Sequence, residues 1–140
     1  MKLKNILPLT LLLLIAIPSC KDDDDKVDVT KPTTVELVQN IWNIHSVIDY
    51  NYVGKSTTLD YIDTILIGNA GTFDFRSDNR VYAYVLGDYD TSAYAVINDG
   101  LIDFDGEAYE ITSITSSQFV LTFKERTEDP YFNNVVTLKR

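Results

Sequence analysis

From Trp42 to the end of the chain, apolar and polar side chains take turns at every second position. That is the period of a strand with one face buried and the other wet. Trp42, Ile44, Ile48 and Tyr50 alternate with Asn43, His45 and Asp49, and Phe73 and Phe75 flank Asp74. Further on, Ile102 and Phe104 alternate with Asp103 and Asp105, Tyr109 and Ile111 with Glu110 and Thr112, and Phe119, Leu121 and Phe123 with Thr122 and Lys124. Val136 and Leu138 close the series around Thr137. No segment after Trp42 carries a helical period. β-branched and aromatic residues fill the runs, as a pleated, half-buried surface favours.

Turn formers separate the runs: Gly68-Asn69-Ala70-Gly71, Ser77-Asp78-Asn79, Gly87-Asp88, Asn98-Asp99-Gly100, Asp105-Gly106 and Ser116-Ser117. Asn-Gly and Asp-Gly pairs supply the positive φ that tight hairpins need. The pattern therefore predicts an all-β fold of about eight or nine short antiparallel strands joined by hairpins. Such a meander must hide its edges, which a closed up-and-down barrel does most completely. A two-sheet sandwich is the other architecture compatible with the pattern. Ahead of the strands, Thr33 or Thr34 can cap a short helical turn over residues 35–38, with Glu36 at the favourable end of its dipole.

The other end of the chain has a different character. Lys2 and Lys4 precede an apolar run, residues 6–17, broken only by Pro8 and Thr10. This is the layout of a secretory signal and too short for a permanent membrane span. The only cysteine, Cys20, cannot pair within the chain. Ile17-Pro18-Ser19-Cys20 resembles a bacterial lipobox, which implies cleavage before Cys20 and acylation of its thiol. Acyl chains anchor at about 0.8 kcal/mol per buried methylene. An ordinary signal peptide with a chance cysteine is the plainer reading. The block Lys21, Asp22, Asp23, Asp24 and Asp25 reads either as a solvated spacer or as an address. It resembles the export signal of Bacteroidota surface lipoproteins, which implies an outer-membrane, cell-surface location. The chain thus divides into a signal peptide over 1–19, an acidic lipidated tether over 20–34 and a folded domain over 35–140. Its formal net charge of −9 opposes binding to nucleic acid, which needs a basic footprint.

The stretches LVQNIWNIHSV, GTFDFRSDNRVYAY and DGLIDFDGEAYEITSITSSQFVLTFK resemble the lipocalin-like domains of Bacteroidota lipoproteins. In that group a Trp opens the first strand, usually two residues after a Gly; here Asn40 stands in the Gly position. The resemblance implies a small β-barrel whose mouth holds an apolar or amphipathic ligand.

Little in the chain suggests catalysis. His45 is the only histidine, and the alternation puts it on the face opposite Trp42 and Ile44. No nucleophile elbow, phosphate-cradling loop or dinucleotide fingerprint is present. Asp88, Asp90, Asp99, Asp103, Asp105, Glu107 and Glu110 read as solvated turn and strand-face residues, with a carboxylate pair for hydrolysis or a calcium site as the sharper alternatives. The nine tyrosines are more informative, since each offers an apolar face and a hydroxyl. Trp42, Phe73, Phe75, Phe119, Leu121 and Phe123 are expected in the core, and Tyr82, Tyr84, Tyr94 and Tyr109 as candidates for a cavity wall. Tyr82 and Tyr84 face opposite Val81, Ala83 and Val85, so one of these two sets must lie outside. The expected function is a non-enzymatic, lipid-anchored binding module that needs no cofactor and no metal. The alternative is a docking subunit of a surface complex with a solidly filled barrel, for which Tyr131-Phe132 is the sequence hint.

Overall fold

The computed structural model describes residues 31–68 and 70–140. The signal segment 1–19, Cys20, Lys21, Asp22, Asp23, Asp24 and Asp25 lie outside the described residues. Residues Lys31–Arg140 form one compact unit. A short helix, α1 (Thr34–Val38), leads into nine strands: β1 (Ile41–Tyr52), β2 (Leu59–Ile67), β3 (Gly71–Phe75), β4 (Arg80–Val85), β5 (Asp88–Asn98), β6 (Leu101–Phe104), β7 (Glu107–Ile114), β8 (Gln118–Glu125) and β9 (Phe132–Lys139).

All neighbours pair antiparallel, and β9 returns to β1 to close an eight-stranded barrel, the sandwich alternative falling away. The closing strand β1 is shared. Ile41, Trp42 and Asn43 pair with β3, while Ser46 to Tyr52 pair with β2 on the same side. β2 therefore stands outside the ring and pairs with β1 alone. Its Leu59, Tyr61, Ile62, Ile65 and Ile67 are exposed.

The core follows the alternation. Trp42, Ile44, Phe75, Val81, Tyr94, Ile102, Phe119, Leu121 and Leu138 are buried inside the ring, with Val38 beneath them. Rings touch from end to end: Trp42 to Phe119 at 5.6 Å, Phe119 to Phe75 at 5.9 Å and Phe75 to Phe104 at 5.5 Å. Edge and tilted contacts of this kind add to the stabilisation from burial alone. One sequence expectation is corrected here. Ile48 and Tyr50 were expected to share the face of Trp42 and Ile44. A register shift between Ile44 and Ser46 in the β1–β9 pairing inserts a bulge. Two residues on the bulged strand then oppose one, so the faces exchange. Val47 packs on the core instead.

α1 closes one end of the barrel. Thr33 is its N-cap: Glu36 Oε2 accepts from the Thr33 N–H at 2.7 Å, and the Glu36 N–H donates to Thr33 Oγ1 at 3.3 Å. This reciprocal capping satisfies donors that a five-residue helix would otherwise leave bare, and it lowers the Glu36 pKa. Asn40 Nδ2 donates to the carbonyls of Glu36 and Leu37, and Trp42 Nε1 donates to Val38 O at 3.1 Å. Gln39 is the C-cap, its N–H donating to Val35 O, and the Asn40 side chain satisfies two further carbonyls at the helix end. The opposite end, the mouth, is framed by the connections after β1, β4, β6 and β8.

Candidate functional site

The barrel interior is not filled to the rim. Above the packed layer lies a cavity of about 210 Å³, walled by Phe73, Val81, Ala83, Asp90, Ser92, Phe104, Tyr109, Leu121 and Val136. Eight strands enclose a space just wide enough for side chains or one small ligand. The available volume equals about seven waters at ~30 Å³ each. Small residues make the room. Ala83 and Ser92 stand at inward positions, where most other strands place a branched or aromatic side chain.

The aromatic ladder of the core continues through this cavity to the rim. Phe104 meets Tyr109 at 5.2 Å, Tyr109 meets Phe123 at 5.4 Å and Phe123 meets Phe132 at 6.0 Å. Burial raises the Tyr109 pKa, with the charge of Glu107 and a hydrogen bond to it acting in the same direction. The Tyr109 phenol is therefore a neutral hydrogen-bonding group at physiological pH.

The four tyrosines singled out from the sequence do not form one site. Tyr109 lines the cavity. Tyr94 is buried at the closed end, where its hydroxyl donates to Arg76 O at 2.7 Å. Tyr82 and Tyr84 lie on the outer face, opposite buried Val81. The Arg76 guanidinium sits 4.0 Å above the Tyr82 ring, and Tyr84 packs against Tyr89 at 4.6 Å. Asp74 holds Arg76 there with a 2.7 Å ion pair. Phe73 and Phe123, expected as buried core, are half-buried wall residues of the interior. Phe132 of the Tyr131-Phe132 pair also turns inward, onto Phe123.

No protein-family model matches the chain, and no curated protein matches it.

The sequence reading missed Asp90 and Ser92 as wall residues. Asp-Tyr-Asp-Thr looks like an extended turn, but the β4–β5 pairing runs down to Val85 opposite Asp88, and Ala83 lies opposite Asp90. The signal was the parity: Asp90 and Ser92 are four and two positions ahead of buried Tyr94. His45 is on the outer face, with Lys139 Nζ 3.1 Å from its Nε2. Among the described residues, no three His, Cys, Asp or Glu side chains converge to hold a metal ion. Asp103 has a turn role, accepting from the Gly106 N–H at 3.0 Å.

The rim is shaped by the loop after β8. Glu125 Oε1 accepts from Thr127 Oγ1 at 2.6 Å and from the backbone N–H groups of Thr127 and Glu128. These donors pull the Glu125 pKa from 4.5 down to about 2, the Thr127 hydroxyl contributing most. A carboxylate with a depressed folded pKa stabilises the fold above its unfolded value, and the gain is lost as pH falls through the folded one. Amide exchange at Thr127 and Glu128, corrected for intrinsic rates, should show protection at about pH 5 that disappears toward about pH 2. In Glu125→Gln the profile should be flat; equal protection of the native protein at both ends would refute this role.

Proposed function

We propose that the domain is a non-enzymatic binding module of the lipocalin-like kind, holding a small apolar or amphipathic molecule in the barrel mouth. The observation that supports this reading is the aromatic-walled cavity above the packed core. Ligand sites are concave, mostly apolar, and carry a few placed polar groups; here the polar groups are Asp90, Ser92 and Tyr109. At about 210 Å³ the cavity lies below the ~300–1,000 Å³ of sites for drug-sized ligands. It suits a compact molecule, or one end of a longer one. The sequence features at Cys20 and at Asp22, Asp23, Asp24 and Asp25 support the further reading that the module is tethered by lipid to the outer membrane and faces the cell exterior.

The test is titration with hexanol, followed at the ring resonances of Phe104 and Tyr109. Saturable shifts are expected, and Ala83→Leu, which fills the cavity from its wall, should abolish them while keeping the β-sheet circular dichroism. Shifts that grow linearly without saturation would end the binding-module reading. The docking-subunit reading keeps only Tyr131 of its sequence hint, because Phe132 packs inward on Phe123. What favours it is the exposed apolar strand β2, and a constant partner that protects β2 amides from exchange would support it.

A further inference from the structure

The inward-facing rows of the barrel carry charge of one sign only, on side chains at the mouth, where Asp88, Asp90 and Glu107 are exposed and Asp49 and Glu125 half-buried. The pairing register places Asp88 opposite Val85 and Asp90 opposite Ala83, on the row that continues into buried Tyr94. It places Glu107 opposite Phe104, two positions before wall residue Tyr109. Asp49 lies opposite Asn134, whose Nδ2 donates to Asp49 Oδ1 at 2.6 Å, and Glu125 lies opposite Phe132. All five carboxylates belong to the mouth half of their strands. On those inward rows the described residues include no Lys or Arg. Three cations stand near the rim: Lys124 is paired with Glu110, and Lys55 and Arg126 are turned to backbone carbonyls. Lys55 Nζ donates to Thr127 O at 3.0 Å, and Arg126 Nη1 donates to Glu125 O at 2.7 Å and to Phe132 O at 3.1 Å. The Arg126 guanidinium also lies over the rings of Tyr52 and Tyr131. None of the three forms a salt bridge with an inward carboxylate; the described ion pairs are Arg76 with Asp74 and Lys124 with Glu110.

We propose that the cavity selects amphiphiles with a cationic head, alkylammonium compounds in particular, and discriminates against fatty-acid carboxylates. The inference rests on the cavity being the binding site. The carboxylates do not converge as metal ligands would; they encircle an opening. Like charges around a low-dielectric cleft focus their field into it. An entering carboxylate would meet that field after giving up its own hydration, which is costly without a partner. A quaternary ammonium head meets Asp90 in the wall, and the rings of Phe73, Phe104 and Tyr109 offer it the negative faces that attract such cations. The alkyl part takes the apolar remainder of the cavity.

Three ligands of matched tail decide it: hexyltrimethylammonium, hexanol and hexanoate, titrated into the folded domain at low salt and followed at Phe104 and Tyr109. The ammonium should bind about tenfold more tightly than hexanoate, as one charge contact at intermediate dielectric allows. The advantage should shrink as salt rises. Asp90→Asn combined with Glu107→Gln should lower the ratio of ammonium to hexanol affinity by about tenfold, and Asp90→Lys should favour hexanoate. If hexanol binds but hexanoate equals or exceeds the ammonium, the charge selection is overturned and the binding module stands. If none of the three saturates, both are overturned.

Discussion

Phe75→Ala is expected to lower the unfolding free energy by about 4 kcal/mol, the scale of removing a buried phenyl ring and leaving the hole unfilled. Phe75 is 2% exposed and sits where the interior rings meet. Tyr94 lies 5.1 Å from it, Phe104 at 5.5 Å, Phe119 at 5.9 Å and Phe73 at 6.3 Å. Those neighbours stand on four different strands of a closed ring, so they cannot collapse inward without breaking strand pairing elsewhere. A domain of this size has roughly 5–15 kcal/mol in total, and the midpoint of thermal unfolding should drop by about 20 °C. Tyr84→Ala is the matched comparison on the outer face. Its ring touches Tyr89 alone among aromatics and is 40% exposed, so its loss should cost about 1 kcal/mol or less. Urea unfolding of the two variants measures the difference directly. Equal costs would mean that the inward and outward rows have been exchanged, which would remove the cavity and its wall together.

That exchange is the point at which the sequence is least legible. A strand with one polar face declares its orientation, and Phe119, Leu121 and Phe123 against Thr122 and Lys124 leave no choice. Val81-Tyr82-Ala83-Tyr84-Val85 is apolar on both faces, so parity alone cannot say which row is inside. The decision comes from neighbours: Val81 pairs with Phe75, and Phe75 is surrounded by rings. The bulge beside His45 is illegible for a related reason. It is set by the closure of β1 on β9, through a register joining Asn43 to Lys139, and nothing local to Ile44 and Ser46 encodes it. Turn chemistry was easier to read, because Asp105 and Gly106 both have positive φ, at 54° and 91°, as an Asp-Gly hairpin requires. The turn Leu86-Gly87 has the same pair of signs, at 52° and 101°. A leucine is a poor indicator of that conformation, so the start of β5 and its inward acids went unread.

Gly71→Ala should be nearly as damaging as the loss of Phe75, at about 3 kcal/mol, although it adds only one methyl group. Gly71 begins β3 at φ 154°, and a Cβ built there would lie 1.8 Å from Tyr84 O and 2.9 Å from Val85 Cα. Both are backbone atoms of the adjacent strand, so no side-chain rotation relieves the contact. The β3–β4 pair must part where Gly71 faces Val85, and the Leu86 N–H bond to Ala70 O at 3.0 Å lies in the path of that movement. Gly68→Ala separates this collision from the general cost of an L residue at positive φ. Gly68 has φ 82° with nothing within 4 Å of an added Cβ, so only the conformational penalty of about 1–2 kcal/mol applies. A Gly71→Ala variant that loses no more than Gly68→Ala would show that β3 and β4 stand further apart at the mouth than described. The wall formed by Phe73, Val81 and Ala83 would then be open, because these same two strands carry it. If the larger cost is found, the close approach of the two backbones is what holds that side of the cavity shut.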